Sequence, residues 1–196
     1  MVLRIYILTG LIVHKLVWEV LKRKQGDAPR AQGPVPIGIR LSKMVKIGAL
    51  LGLVVQTLVP PVLPIEFAPK VLPIFGVVLY TAGLLLAIAG RVQLGRNWSD
   101  IETATVQPNH MVVSTGVYRL IRHPIYAGDL AMLFGLELSL RSWLVCLVAL
   151  LVPFVVRKAA AEERKLLTVI RGYKRYCENT HRFLPIPVRI FSRTSR

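Results

Sequence analysis

Five apolar runs separated by basic connections constrain this 196-residue chain more than any other feature. They cover residues 2–21, 45–63, 71–90, 125–140 and 143–156. A helix needs ~20 apolar residues to cross the hydrocarbon core of a bilayer, and the second and third runs meet that length. The last two are shorter and are separated only by Arg141 and Ser142, the pattern of a tight helical hairpin whose second helix continues into Arg157 and Lys158. Short spans are tolerated where protein or water lines the interior. His14, Lys15 and Glu19 interrupt the first run, and no small-residue cleavage site follows Val20. It therefore reads as a retained helix with a polar stripe turned toward protein or headgroups, not as a leader.

Composition agrees with an all-α integral membrane protein of five transmembrane helices. Hydrophobic residues make up 54% of the chain and the mean hydropathy is +0.54, too apolar for disorder or for an ordinary soluble domain. Two cysteines cannot staple a fold of this size. The net charge of +16 would suggest nucleic acid in a soluble protein. Here the placement of the basic residues explains it instead. Residues 22–46 carry seven Lys and Arg, residues 91–122 carry four, and the tail from Arg157 carries eleven, against three (Arg4, Lys70 and Arg141) on the opposite side. By the positive-inside rule this puts the N-terminus outside and the C-terminus in the cytoplasm. The expected partner is membrane lipid, with no nucleic acid.

Two cytoplasmic stretches hold most of the chemistry. The first runs from Gly95 to Gly128; the second, from Glu162 to Pro187, reads EERKLLTVIRGYKRYCENTHRFLPIP. In the first, Pro124 opens an apolar helix with His123 near its cap position, so the first-turn amides face the cytoplasmic mouth. Arg119, Arg122 and His123 there suit either an anionic ligand or headgroup anchoring. In the second, Glu162 and Glu163 are expected one or two turns beyond the end of the fifth helix. Adjacent carboxylates on a helix point in different directions, so one of them at most faces a shared site. No Walker loop, metal cluster or nucleophile triad is present.

Taken in order, GRNWS, HMVVSTGVY, RHPIYAG, EE, YKRY and HRFLP resemble the isoprenylcysteine carboxyl methyltransferase family, whose relatives include phospholipid methyltransferases. The likeness covers about residues 91–187, and the layout is that of the short prokaryotic members, which implies a prokaryotic cytoplasmic membrane. It divides the chain into helices 1–3 with a basic loop (residues 1–90) and a methyltransferase core (residues 91–196). The resemblance implies S-adenosylmethionine as methyl donor and S-adenosylhomocysteine as product. The cofactor pocket would lie at the cytoplasmic end of the last two helices, closed by the C-terminal helix and tail. His110, Met111, Val112 and Val113 would lie along the nucleoside, with Tyr118 after them. His123, Pro124, Ile125 and Tyr126 would hold the amino-acid end, completed by Glu162 or Glu163, with Arg182 and Pro185 in the closing tail. Arg157 or Lys158 would hold a substrate carboxylate, with Glu162 as the catalytic carboxylate. Two departures stand out. Gly172 directly precedes Tyr173, and a lysine at the substrate position gives a point charge in place of a bidentate fork.

The implied activity is methyl transfer to a lipid-linked or apolar acceptor, with the carboxylate of a prenylated cysteine first among them. A phospholipid amine or a thiol is the alternative within the fold. A carboxylate needs no base, whereas an amine must shed a proton. Outside this chemistry stand an NADPH-dependent sterol-type reductase, which shares the helix start and the EE tail, and a non-catalytic basic membrane scaffold.

Overall fold

A computed structural model describes residues 1–24, 37–61, 63–68, 70–95 and 111–185. Six α-helices follow one another among them: α1 (Val2–Lys24), α2 (Ile37–Leu58), α3 (Val71–Leu94), α4 (Pro124–Ser139), α5 (Val145–Val169) and α6 (Tyr173–Asn179). A 3₁₀ turn at Gly116–Arg119 precedes α4, and the described residues contain no strand beyond two isolated bridges. Each of the five apolar runs forms the body of a helix. Among the described residues, α3 alone is long and apolar enough to cross a membrane.

Two helices differ in extent from the apolar runs. Helix α2 starts at Ile37, well before Val45, so Arg40, Lys43 and Lys46 lie in its first turns and not in a connection. Long basic side chains can lie along an apolar helix and hold their charges at its rim, so such turns stay helical. Helix α5 continues to Val169, which places Glu162 and Glu163 inside it and not beyond its end. The extension is held by one buried stripe, Ala159, Glu163 and Ile170, joined by the half-buried Leu166. Beyond it Gly172, with a φ of 86°, turns the chain into α6.

Helix α4 is central, and its face toward α3 is made of small residues. A Cβ on Gly83 would strike the backbone of Met132 and Gly128, and one on Gly135 would strike the backbone of Tyr80. The two helices therefore pack backbone to backbone, the arrangement small residues permit in apolar surroundings. Tyr80 is fully buried beside this seam and donates from its hydroxyl to the Ile7 carbonyl on α1 at 2.7 Å. Ile7, Leu11, Met132, Leu136 and Leu140 complete that core. The turn between α4 and α5 is tied to the connection after α2. Ile65 N donates to Arg141 O (2.6 Å), Trp143 N to Leu63 O (3.0 Å) and Arg141 Nε to Ile65 O (2.8 Å). Much of the outer surface is apolar, with Leu51, Val78, Leu85, Leu150 and Phe154 each more than half exposed.

Candidate functional site

The site is built where the chain enters α4. Pro124 occupies the first turn and His123 the N-cap, as the order Arg-His-Pro predicts. The His123 side chain makes no cap bond. It points instead to α5, where Nε2 lies 3.0 Å from Glu163 Oε1. Before it, Gly116 turns the backbone with a φ of 58°, and Val117 N donates to Gln93 Oε1 on α3 at 2.8 Å. Tyr118 is buried and its hydroxyl reaches the Gly90 carbonyl at 3.3 Å. The segment after α6 then runs beside this entrance. Ile121 and His181 form a parallel bridge, Arg122 N donates to His181 O (2.8 Å), and His123 N donates to Arg182 O (3.1 Å).

Three basic side chains close on the Glu163 carboxylate, which is 6% exposed. Arg182 makes a forked contact, Nε to Oε1 at 3.1 Å and Nη2 to Oε2 at 2.6 Å. His123 supplies the second bond. Arg122 Nε sits 3.0 Å from Oε1 but is out of line for a hydrogen bond, so it acts through charge. Its Nη1 donates to the Cys177 carbonyl at 2.7 Å. Burial alone would raise the Glu163 carboxyl. The hydrogen bonds from His123 and Arg182 and the charge of Arg122 outweigh it and bring the pKa down to about 2. Tyr176, which donates to the Tyr118 carbonyl at 2.7 Å, is pushed up to about 12, mainly by burial.

The neighbouring Glu162 points elsewhere. It is exposed and accepts from the Tyr126 hydroxyl at 3.0 Å, while the Tyr126 ring stacks on His123 with centroids 5.5 Å apart. The two adjacent carboxylates thus meet two different faces of the same helix start.

The other candidate residues divide clearly. Val112 and Val113 are half-buried, and Val112 packs against the Ile170, Tyr173 and Tyr176 cluster; Met111 is exposed. Pro124 and Ile125 turn away from the carboxylates to pack on α3 at Gly90. Pro185 is exposed, Arg157 is exposed and Lys158 half-buried on α5, and His110 lies outside the described residues. His181 and Phe183 join the site without having been singled out, and Arg122, left open between an anionic ligand and headgroup anchoring, sits beside the Glu163 carboxylate. The signal for Arg122 was its place directly before His123, which headgroup anchoring explained equally well.

The family model for phospholipid methyltransferase matches residues 71–173. A probable protein-S-isoprenylcysteine O-methyltransferase of Oryza sativa subsp. indica is 29% identical over 113 residues, 56% of this chain and 59% of that protein. Protein-S-isoprenylcysteine O-methyltransferase A of Arabidopsis thaliana is 32% identical over 66 residues, 34% of each chain. The Schizosaccharomyces pombe protein-S-isoprenylcysteine O-methyltransferase is 26% identical over 107 residues, 53% of this chain and 45% of that one. The chain thus spans about half the length of the curated relatives it matches. The family match begins at α3, includes the glycine seam, the α4 entrance and Glu163, and ends at the first residue of α6. It covers just over half of the chain, which therefore belongs to the phospholipid methyltransferase family.

Proposed function

We propose that the chain transfers a methyl group from S-adenosylmethionine to a lipid-linked acceptor at the cytoplasmic boundary of a membrane. The observation that carries this reading is the convergence of Arg122, His123 and Arg182 on the buried Glu163 carboxylate beside the Tyr126–Glu162 pair. The residues suit the amino-acid end of the donor. His181 Nε2 is buried without a hydrogen-bond partner among the described residues and fits a carboxylate. Glu162, exposed and oriented by Tyr126, fits an ammonium. Val112, Val113 and Tyr118 offer an apolar wall to a nucleoside. When bound, S-adenosylmethionine supplies a methyl group on a positively charged sulfur. The chain's own part is to hold the reacting groups in line, to exclude water and to set the charge around them.

The distribution of basic residues supports five helices across the bilayer, with the N-terminus outside and the C-terminus inside. On this reading residues 1–90 anchor the chain and residues 91–196 form the methyltransferase core.

Two acceptor chemistries meet the site. The names of the relatives point to the carboxylate of a prenylated cysteine, which Lys158 or Arg157 would hold. The family description points to a phospholipid, and the acidic setting of Tyr126 favours an amine: Glu162 and Asp129 both lie within electrostatic reach of its hydroxyl.

Calorimetry on the protein in lipid nanodiscs tests the donor. Saturable binding of S-adenosylhomocysteine is expected, lost when Glu162→Gln and Tyr126→Phe are combined, and NADPH is expected to give no heat. Binding of NADPH alone would replace this reading by a reductase, and silence from both by a scaffold.

A further inference from the structure

Helix α5 turns one continuous side away from the rest of the protein. Leu150, Leu151 and Phe154 are exposed along it. Arg157, Arg164 and Lys165 follow on the same side at intervals of three and four residues, with the small Ala161 between them. The apolar part thus passes into a basic part without changing face. Both acidic residues of α5 are turned elsewhere, Glu162 to Tyr126 and Glu163 to Arg182. Among the described residues, Arg164 and Lys165 are exposed and make no ion pair.

The height of these groups follows from the neighbouring helix. The Tyr126–Glu162 bond sets residue 162 level with the start of α4, where the apolar run begins at Ile125. Arg164 and Lys165 come two and three residues later, ~3–5 Å further along the helix axis. The headgroup layer is about 5–7 Å deep on each side of the hydrocarbon core. Their charges therefore fall at the height of lipid phosphates, in line with apolar side chains at the height of acyl tails.

We propose that this side of α5 holds an anionic phospholipid of the cytoplasmic leaflet, as a bound lipid that is not itself methylated. The inference rests on the reading of α5 as a membrane helix and is independent of the methyl donor and acceptor. An acyl chain lies along Leu150 and Phe154, and the phosphate meets Arg164 and Lys165. A zwitterionic lipid offers the same tails but carries a cation beyond its phosphate, which a basic surface disfavours. A soluble anion offers the charge without the tails. A lipid held here fixes the height of the turn that carries Glu162 and Glu163, and so keeps the site at the boundary where a lipid-linked acceptor arrives.

The test uses the full chain in a neutral detergent, with phosphatidylglycerol or phosphatidylcholine added and retained lipid counted by native mass spectrometry. The parent is expected to keep phosphatidylglycerol and to release phosphatidylcholine. Arg164→Gln and Lys165→Gln should each weaken retention by about fivefold, whereas Arg164→Lys should preserve it. The matched pair Arg40→Gln and Lys43→Gln on α2 should leave it unchanged. Thermal midpoints without lipid should equal that of the parent in every variant, so that a loss of retention reads the site and not the fold. Equal loss in the α2 pair would reduce the effect to bulk charge and overturn the proposal. Equal retention of the two lipids by the parent would overturn it, and so would displacement of the lipid by glycerol phosphate, which would make the surface a site for a soluble anion. Benzoylphenylalanine incorporated at position 154 should crosslink to acyl chains in nanodiscs of either lipid. Absence of any lipid adduct would take α5 out of the bilayer and overturn the five-helix reading together with the proposal. The methyl-transfer reading is decided separately, by S-adenosylhomocysteine binding to the parent.

Discussion

The α3–α4 seam and the knot around Glu163 both position α4, yet they are made by opposite means. The seam places backbone against backbone through Gly83, Gly128 and Gly135, with no charge in it. The knot gathers Arg122, His123 and Arg182 on one carboxylate and adds two backbone bonds from the strap at 181–182. Dispersion forces in the seam are individually weak and depend on the absence of a gap. Charge in the knot is strong at short range and depends on every group keeping its protonation state. The seam should therefore fail by volume and the knot by charge. A rigid helix wall next to a titratable strap is a workable division of labour for a site that must open to a ligand.

The largest effect is expected at Gly135. Valine there meets the Tyr80 backbone, which cannot swing aside as a flexible side chain would. Overpacking of this kind costs ~3 kcal/mol or more. Thermal unfolding in detergent should show a large drop in the midpoint for Gly135→Val, together with loss of S-adenosylhomocysteine binding. A variant that unfolds like the parent would mean that the seam is looser than the backbone distances imply.

Glu163→Gln comes next. It keeps the shape of the side chain and removes the charge that three basic groups share. The cost is about 1–3 kcal/mol, borne by the strap and not by the helices, because Arg182 is at the protein surface. Limited proteolysis should cut more readily after Asn179 than in the parent, with the thermal midpoint little changed. Equal loss in both measurements would make the knot part of the core.

Acid should act on the same place. The Glu163 carboxyl has its pKa lowered from 4.5 to about 2, so its contribution is complete above pH 4.5 and fades as the pH falls toward 2. The seam contains no titrating group and should be indifferent over that range. Protease sensitivity of the strap should rise through it while helical circular dichroism persists.

What the sequence made legible follows the same division. Each apolar run forms a helix, and Arg-His-Pro located the N-cap and first turn of α4 to the residue, because those features are written in neighbouring positions. The start of α2 was hidden by Arg40, Lys43 and Lys46, which resemble a connection. The end of α5 was hidden by four consecutive charges, although the buried stripe through Ala159, Glu163 and Ile170 continues beneath them. Which glutamate meets the basic groups depends on helix phase, and two adjacent carboxylates leave that undecided. The His14–Asp129 pair joins residues 115 apart and rests on tertiary packing alone. Local chemistry was readable; partnership across helices was not.

The smallest effect, and the finest test of the contrast, belongs to Tyr126→Phe. The substitution keeps the ring that stacks on His123 and removes the hydroxyl that holds the exposed Glu162. A hydrogen bond of this kind contributes ~0.5–1.5 kcal/mol, at the lower end here because water can replace the lost partner. Unfolding should therefore be nearly unchanged. Binding of S-adenosylhomocysteine should weaken, since Glu162 then samples several rotamers in place of one. Glu162→Gln should weaken it further, because the hydroxyl contact survives while the charge meant for an ammonium is gone. If Tyr126→Phe unfolded early and bound normally, the Tyr126–Glu162 pair would be a clasp between helices, and the binding surface would have to be sought on the Glu163 side of α4.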